Sequence, residues 1–147
     1  MKHLNNAKYF DYFFNAREDQ TSSLYGSNSG TPFDELSSSW VVYQQQIAYI
    51  RSATVSERVT IVSSLIYFNE NTIVEEYVMT DDAKQQLKAV LWTTCKYIDI
   101  QTGRTRPHHP EVTQYLQTIC DATVAYEGVS FNERIKTIKK EILEGRF

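Results

Sequence analysis

Glycine and proline are scarce in this sequence, with five and three residues among 147, whereas an average protein has about 12% of the two together. This scarcity excludes collagen-like, linker-like and low-complexity chains. The sequence has no run of about 18 apolar residues, so no segment is predicted to span a membrane. The first ten residues also lack the apolar core of a secretory signal.

Cysteine and clustered positive charge are equally scarce. Cys95 and Cys120 lie in apolar periodic segments without metal-site spacing, which predicts reduced core residues in a cytoplasmic protein. The net charge is −3, and no basic stripe is present in the first 130 residues. This argues against nucleic acid as a partner, because binding to phosphates requires clustered lysine and arginine. The basic cluster at residues 134–140 is interleaved with glutamates at helical spacing and predicts a solvated helix face.

Apolar and aromatic residues are abundant, at 41% and 13% of the chain, which is enough for one globular domain with its own core. Residues 6–19 carry apolar side chains over most of a helical circumference, which predicts a buried helix. Helical periodicity returns at residues 112–120. A last helix is predicted over residues 130–147, opening with a capping box from Ser130 to Glu133.

Four strands are predicted between these helices, over residues 40–52, 57–68, 72–80 and 87–100. In the first strand the side chains expected to share one face are Val41, Tyr43, Ile47 and Tyr49. Short polar connections follow the second and third strands and predict hairpins, so we expect an antiparallel meander. The predicted fold class is therefore α+β, with the sheet wrapped around the helix over residues 6–19 and a helical extension at the C-terminus.

Three separated motifs resemble those of hotdog-fold thioesterases of the 4-hydroxybenzoyl-CoA and acyl-ACP types. The segment His3-Leu-Asn5-Asn6-Ala-Lys-Tyr resembles the start of their central helix. Residues 40–53 resemble their second strand, and Thr102-Gly-Arg-Thr-Arg, which follows the last predicted strand, resembles their terminal motif. The resemblance implies a hotdog fold.

The resemblance also implies a domain boundary, an activity and a set of catalytic residues. It implies a hotdog domain over residues 1–112 that lacks the usual first strand. The helical extension predicted over residues 113–147 lies beyond the resemblance, and we expect it to pack on the same domain. The implied activity is hydrolysis of an acyl-CoA or acyl-carrier-protein thioester, without a cofactor. His3, Asn5 and Asn6 would act at the start of the central helix, where free N–H groups polarise a thioester carbonyl. The alternative is structural, with His3 anchoring the helix and an asparagine capping it.

Tyr49, Arg104 and Arg106 are the candidate substrate-binding residues. Arginine recognises phosphate through paired hydrogen bonds, so the two arginines could bind the phosphates of CoA. The alternative for both is a solvated loop position. His108 and His109 are adjacent in a turn and cannot easily face one ion, so no metal site is predicted.

Members of this family carry a carboxylate upstream of the histidine, and the present sequence begins two residues before His3. Three alternatives follow: the native start lies further upstream, the protein works without this carboxylate, or it does not catalyse. For the sequence as given, we expect weak or absent hydrolysis of acyl-CoA. A non-catalytic hotdog dimer that binds an acyl or aromatic ligand is the second hypothesis. In both cases residues 40–52 are expected to form a sheet edge that pairs with its own copy in a homodimer or a dimer of dimers.

Overall fold

The structure, a computed structural model, describes residues 36–147 of the chain. The predicted helix over residues 6–19 lies outside this range. The described part contains four antiparallel strands in the sheet order β1-β4-β3-β2. They are β1 (Ser38–Tyr49), β2 (Val59–Phe68), β3 (Thr72–Asp81) and β4 (Leu87–Asp99). Two α-helices follow, α1 (Pro110–Ile119) and α2 (Phe131–Leu143).

Both predicted hairpins are present, and each is fixed by an acidic or amide side chain in its turn. The Asn69 Oδ1 atom accepts hydrogen bonds from the backbone N–H groups of Asn71 and Thr72, at 3.0 and 2.9 Å. The Asp81 Oδ1 atom does the same for Gln85 and Gln86, at 2.7 and 2.9 Å. In these turns, side-chain oxygens accept the backbone hydrogen bonds that a neighbouring strand accepts elsewhere in the sheet.

The meander expected from the sequence is wrong in one respect, because β1 pairs with β4 and not with β2. The connection between β1 and β2 therefore crosses the end of the β3–β4 hairpin, and polar contacts hold it there. The Lys88 Nζ atom donates to the Ser52 carbonyl at 3.1 Å and pairs with Glu57 Oε1 at 3.0 Å. Glu57 Oε2 accepts from the Thr54 N–H at 3.0 Å. The Thr54 hydrogen bond and Lys88 together lower the pKa of Glu57.

The sheet has two buried faces. We call the face that packs on α2 the outer face; its core contains Val74, Val78, Val90 and Trp92. The opposite, inner face carries Tyr77, Met79, Ala89 and Leu91. At one end of this inner face, Val112 and Leu116 of α1 pack among strand residues, including Ile73 and Tyr97. After α1 the chain returns to β2, where the Asp121 N–H donates to the Leu65 carbonyl at 2.8 Å.

The predicted capping box of the last helix is confirmed: Ser130 Oγ accepts from the Glu133 N–H at 3.1 Å, and the Glu133 carboxylate accepts from the Ser130 N–H at 3.4 Å. The helix ends at Leu143 rather than at residue 147, because Gly145 adopts φ +70°, a left-handed conformation that glycine enters without steric cost. The predicted apolar stripe is buried against the outer face and consists of Phe131, Ile135, Ile138 and Ile142.

The basic cluster at residues 134–140 is only partly the solvated face that was expected. Arg134 turns inward and makes two 2.8 Å hydrogen bonds to the carboxylate of Glu76 on the outer face. The Trp92 indole N–H donates to the same carboxylate at 2.9 Å. The hydrogen bonds to Glu76 raise the pKa of Arg134. Charge alternation along the helix indicates an exposed face, but it does not show that one of the basic residues pairs with a buried glutamate of the sheet.

Candidate functional site

Strand β1 lies at the edge of the described sheet and exposes large apolar side chains. Val42 and Tyr43 are 55% and 67% exposed. A bulge between Val42 and Gln44 inserts one extra residue, and such an insertion exchanges the faces of the residues that follow. Trp40 and Ile47 therefore both pack on the inner face, which corrects the single alternation expected over residues 41–49. Within residues 36–147, the strand has the edge position that was predicted.

A row of polar side chains crosses the inner face in the middle of the sheet. Gln45 Nε2 on β1 donates to Thr93 Oγ1 on β4 at 3.4 Å. Thr93 lies opposite Glu75 of β3 in the register, and the Tyr77 hydroxyl donates to Glu75 Oε2 at 3.1 Å. Thr93 is 1% and Glu75 9% exposed. A buried carboxylate held by a hydroxyl donor is a group that can bind or exchange a proton in a site shielded from water.

Sequence reasoning missed Glu75, because the search for an acid was directed upstream of His3. A signal was present: Glu75 and Glu76 are adjacent in the middle of a strand, so they must point to opposite faces. With both faces of β3 buried, each carboxylate needs polar partners. Glu76 has Arg134 and Trp92, whereas Glu75 faces the row just described.

The adjacent histidines bind different partners at the other end of β4. His108 accepts from the Trp40 indole N–H at Nε2 (3.0 Å), so its proton is on Nδ1, which donates to the Asn69 carbonyl at 3.0 Å. Burial lowers the pKa of His108, which is consistent with this neutral form. The residue thus joins the start of β1 to the β2–β3 turn.

His109 takes part in a second set of contacts. Its Nε2 atom accepts from Arg106 Nη1 at 2.9 Å, so its Nδ1–H donates to the Tyr97 hydroxyl at 2.9 Å. Burial raises the pKa of Tyr97. The two imidazoles do not converge on one point, and no group of three or more potential metal ligands occurs within residues 36–147.

The candidate substrate-binding residues do not meet within one chain. Tyr49 pairs with Ala89 at one end of β1, whereas Ser38 at the other end pairs with Asp99, and the segment carrying Arg104 follows Asp99. At about 3.3 Å per residue, the two ends of this 12-residue strand are roughly 36 Å apart.

The two arginines also differ from each other. Arg104 is exposed, whereas Arg106 is half-buried and already donates to His109 and to the Pro107 carbonyl. Asp99 Oδ1 accepts hydrogen bonds from the Gln101 and Thr102 N–H groups and so stabilises the turn after β4. The candidate catalytic residues His3, Asn5 and Asn6 lie outside the described residues.

Residues 1–117 match the family model of the thioesterase-like superfamily. The chain belongs to this superfamily. Among solved structures, it is similar to the probable thioesterase YbaW from Escherichia coli, with 27% identity, a TM-score of 0.70 and coverage of 82% of this chain and 88% of that one. No curated protein matches the chain significantly.

Two more distant structures share the fold of this superfamily member. A thioesterase-superfamily protein from Jannaschia is 10% identical, with a TM-score of 0.70 and coverage of 82% and 83%. The protein SAV2348 from Staphylococcus aureus, solved in complex with CoA, is 11% identical, with a TM-score of 0.69 and coverage of 92% and 82%. The predicted hotdog fold and α+β class are thereby confirmed for the sheet and the C-terminal helices, and a thioesterase-type function is supported. None of the helices in the described range could cross a membrane.

Proposed function

We propose that this superfamily member hydrolyses acyl thioesters of CoA or of an acyl carrier. The observation that carries this proposal is the thioesterase-like match over residues 1–117, with the similarity to YbaW beside it. The CoA complex of the similarly folded SAV2348 favours CoA as the carrier. His3, Asn5 and Asn6 fall inside the matched range and remain the proposed catalytic residues. The two cysteines are free, which agrees with the proposed cytoplasmic location.

The working form is proposed to be a homodimer joined along β1. An exposed edge of 12 residues with Val42 and Tyr43 on it is a ready template for a second strand. Two-fold pairing about the middle of β1 brings Tyr49 of one copy beside the Ser38 end of β1 in the second copy. That end pairs with Asp99, which precedes the segment with Arg104. The substrate-binding residues that lie far apart in one chain would then form a single site between two chains.

Glu75 is proposed as the carboxylate of this site. Helix α2 covers the outer face, so the inner face is the one left for the predicted helix over residues 6–19. Glu75, Tyr77 and Thr93 lie on that inner face. A buried carboxylate that accepts a proton from attacking water contributes about 10²–10⁴-fold to a rate.

Thiol release from a panel of acyl-CoA substrates tests the proposal. We expect Glu75→Gln to lower kcat by about 10²–10⁴-fold with little change in KM, and His3→Ala to lower kcat as well. The matched control is Glu70→Gln, which removes an exposed carboxylate from the β2–β3 turn and should leave kcat unchanged. If no acyl-CoA is cleaved although CoA binds, the chain is the non-catalytic binding dimer. Full kcat in Glu75→Gln would show that Glu75 is not the carboxylate of the reaction.

A further inference from the structure

A cleft of about 420 Å³ opens beside the Tyr49 end of β1. Three segments form it: the residues after β1, the turn between β3 and β4, and the last turns of α2. Its lining consists of Ile50, Arg51, Gln85, Gln86, Leu87, Lys139, Ile142 and Leu143. The volume lies within the range of small-molecule sites, about 300–1,000 Å³.

The chemistry of the cleft is divided between an apolar floor and a polar rim. Leu87 and Ile142 are buried, and Leu143 is 86% exposed beside them, so the cleft offers apolar surface at its base and at its edge. Arg51 and Lys139 are exposed cations at the rim. Neither forms an ion pair within the described part of the chain.

The turn that supplies the two glutamines is already fixed. Asp81 Oδ1 binds the backbone N–H groups of Gln85 and Gln86, so their exposed side-chain amides are available to a ligand. Each amide offers two donors and an acceptor. The cleft thus combines an apolar floor, hydrogen-bonding amides and two cations that have no ion-pair partner among residues 36–147.

We propose that this cleft binds the adenine nucleotide end of CoA. This deepens the proposed function and rests on it, since it names CoA as the carrier. The adenine ring would lie on Leu87, Ile142 and Leu143, with its edges toward the glutamine amides. The Arg51 guanidinium would bind a phosphate through two hydrogen bonds, and Lys139 would act as a second point charge. Because Arg51 follows Tyr49 by two residues, the acyl arm can run from the cleft toward Tyr49.

This assignment differs from the sequence expectation, which placed the CoA phosphates on Arg104 and Arg106. Arg106 is engaged with His109 and Pro107. The two clefts described within residues 36–147, of about 290 and 420 Å³, do not include Arg104 in their linings. Arg104 therefore serves as the competing site in the test.

The test is calorimetric titration with free CoA and, separately, with pantetheine, which lacks the nucleotide. We expect Arg51→Gln combined with Lys139→Gln to weaken CoA binding by about ten- to hundredfold, the usual effect of losing charge-assisted hydrogen bonds. Pantetheine binding should not change. The matched control combines Lys136→Gln with Lys140→Gln, which removes the same charge from exposed positions of α2 outside the cleft and should change CoA binding less than about threefold.

Three results would overturn the proposal: a loss of CoA affinity in the control as large as in the cleft variant, a larger loss of CoA affinity in Arg104→Gln, or no CoA binding by the unaltered chain. The test also separates the cleft from the activity. CoA binding that depends on Arg51 and Lys139, without hydrolysis of any acyl-CoA, would reject the proposed activity and keep the cleft. If the chain hydrolyses acyl-CoA and the cleft variant binds CoA with unchanged affinity, the proposed CoA site in the cleft is wrong and the proposed activity stands.

Discussion

Replacing Arg134 with methionine tests how α2 is attached to the sheet. The side chain of Glu76 is 3% exposed and that of Arg134 is 12% exposed, and two 2.8 Å hydrogen bonds join them. Arg134→Met would leave the carboxylate buried with the Trp92 indole as its remaining described partner. Breaking one side of a buried pair costs about 3–5 kcal/mol. For a chain of this size, that corresponds to a fall in Tm of roughly 6–20 °C.

The measurement is urea unfolding at fixed protein concentration, because an assembled protein has a concentration-dependent stability. The double variant Glu76→Gln with Arg134→Met removes both charges and should recover most of the loss, as a double-mutant cycle can show. Arg146→Met is the matched control. It breaks an exposed pair with Glu144 and should cost about 1 kcal/mol or less. A loss below about 1 kcal/mol in Arg134→Met would refute the view that this pair anchors α2, since that is the range of a surface pair.

Two further predictions concern assembly and pH. Val42→Lys places a charge on the β1 edge and should convert a dimer to a monomer, as measured by light scattering at micromolar concentration. The control Ile119→Lys, at an exposed apolar position of α1, should leave the dimer intact. A monomeric unaltered chain would contradict the β1 interface. Burial lowers the pKa of His108, so the unfolded chain binds a proton at higher pH than the folded chain, and stability should fall as pH drops below about 6.5. His108→Gln should make the change in Tm between pH 7 and pH 5 smaller, and an unchanged slope would show that another group controls it.

The strands and their hairpins could be predicted because their signals are local. Alternating side chains and short polar turns located β2, β3 and β4 to within about two residues. The pairing of β1 with β4 could not be read in the same way, since it depends on a crossing connection held by Lys88 and Glu57. The bulge near Tyr43 was also invisible, because one inserted residue leaves no compositional mark.

The candidate site was predicted less completely than the fold. The edge position of β1 was expected from the resemblance to hotdog-fold thioesterases, whereas the separation of Tyr49 from Arg104 became visible only with the sheet order. Arg134 could not be identified from spacing, because its partner Glu76 lies on β3, 58 residues away along the chain. Glu75 has Tyr77 two residues away on the same strand, but its neighbour Thr93 lies on β4 and becomes visible only with the register.

The two borders of the sheet differ in a way that limits how many copies can join. At the β2 border, the chain returning from α1 already donates the Asp121 N–H to Leu65, so that border is partly occupied from within. Helix α2 closes the outer face against stacking. Within residues 36–147, β1 borders one other strand, β4, and the proposed two-fold pairing would add a second neighbour to β1 in both copies at once. In the proposed dimer this pairing uses the β1 border of both chains, so we expect a dimer of dimers to form through a surface other than β1.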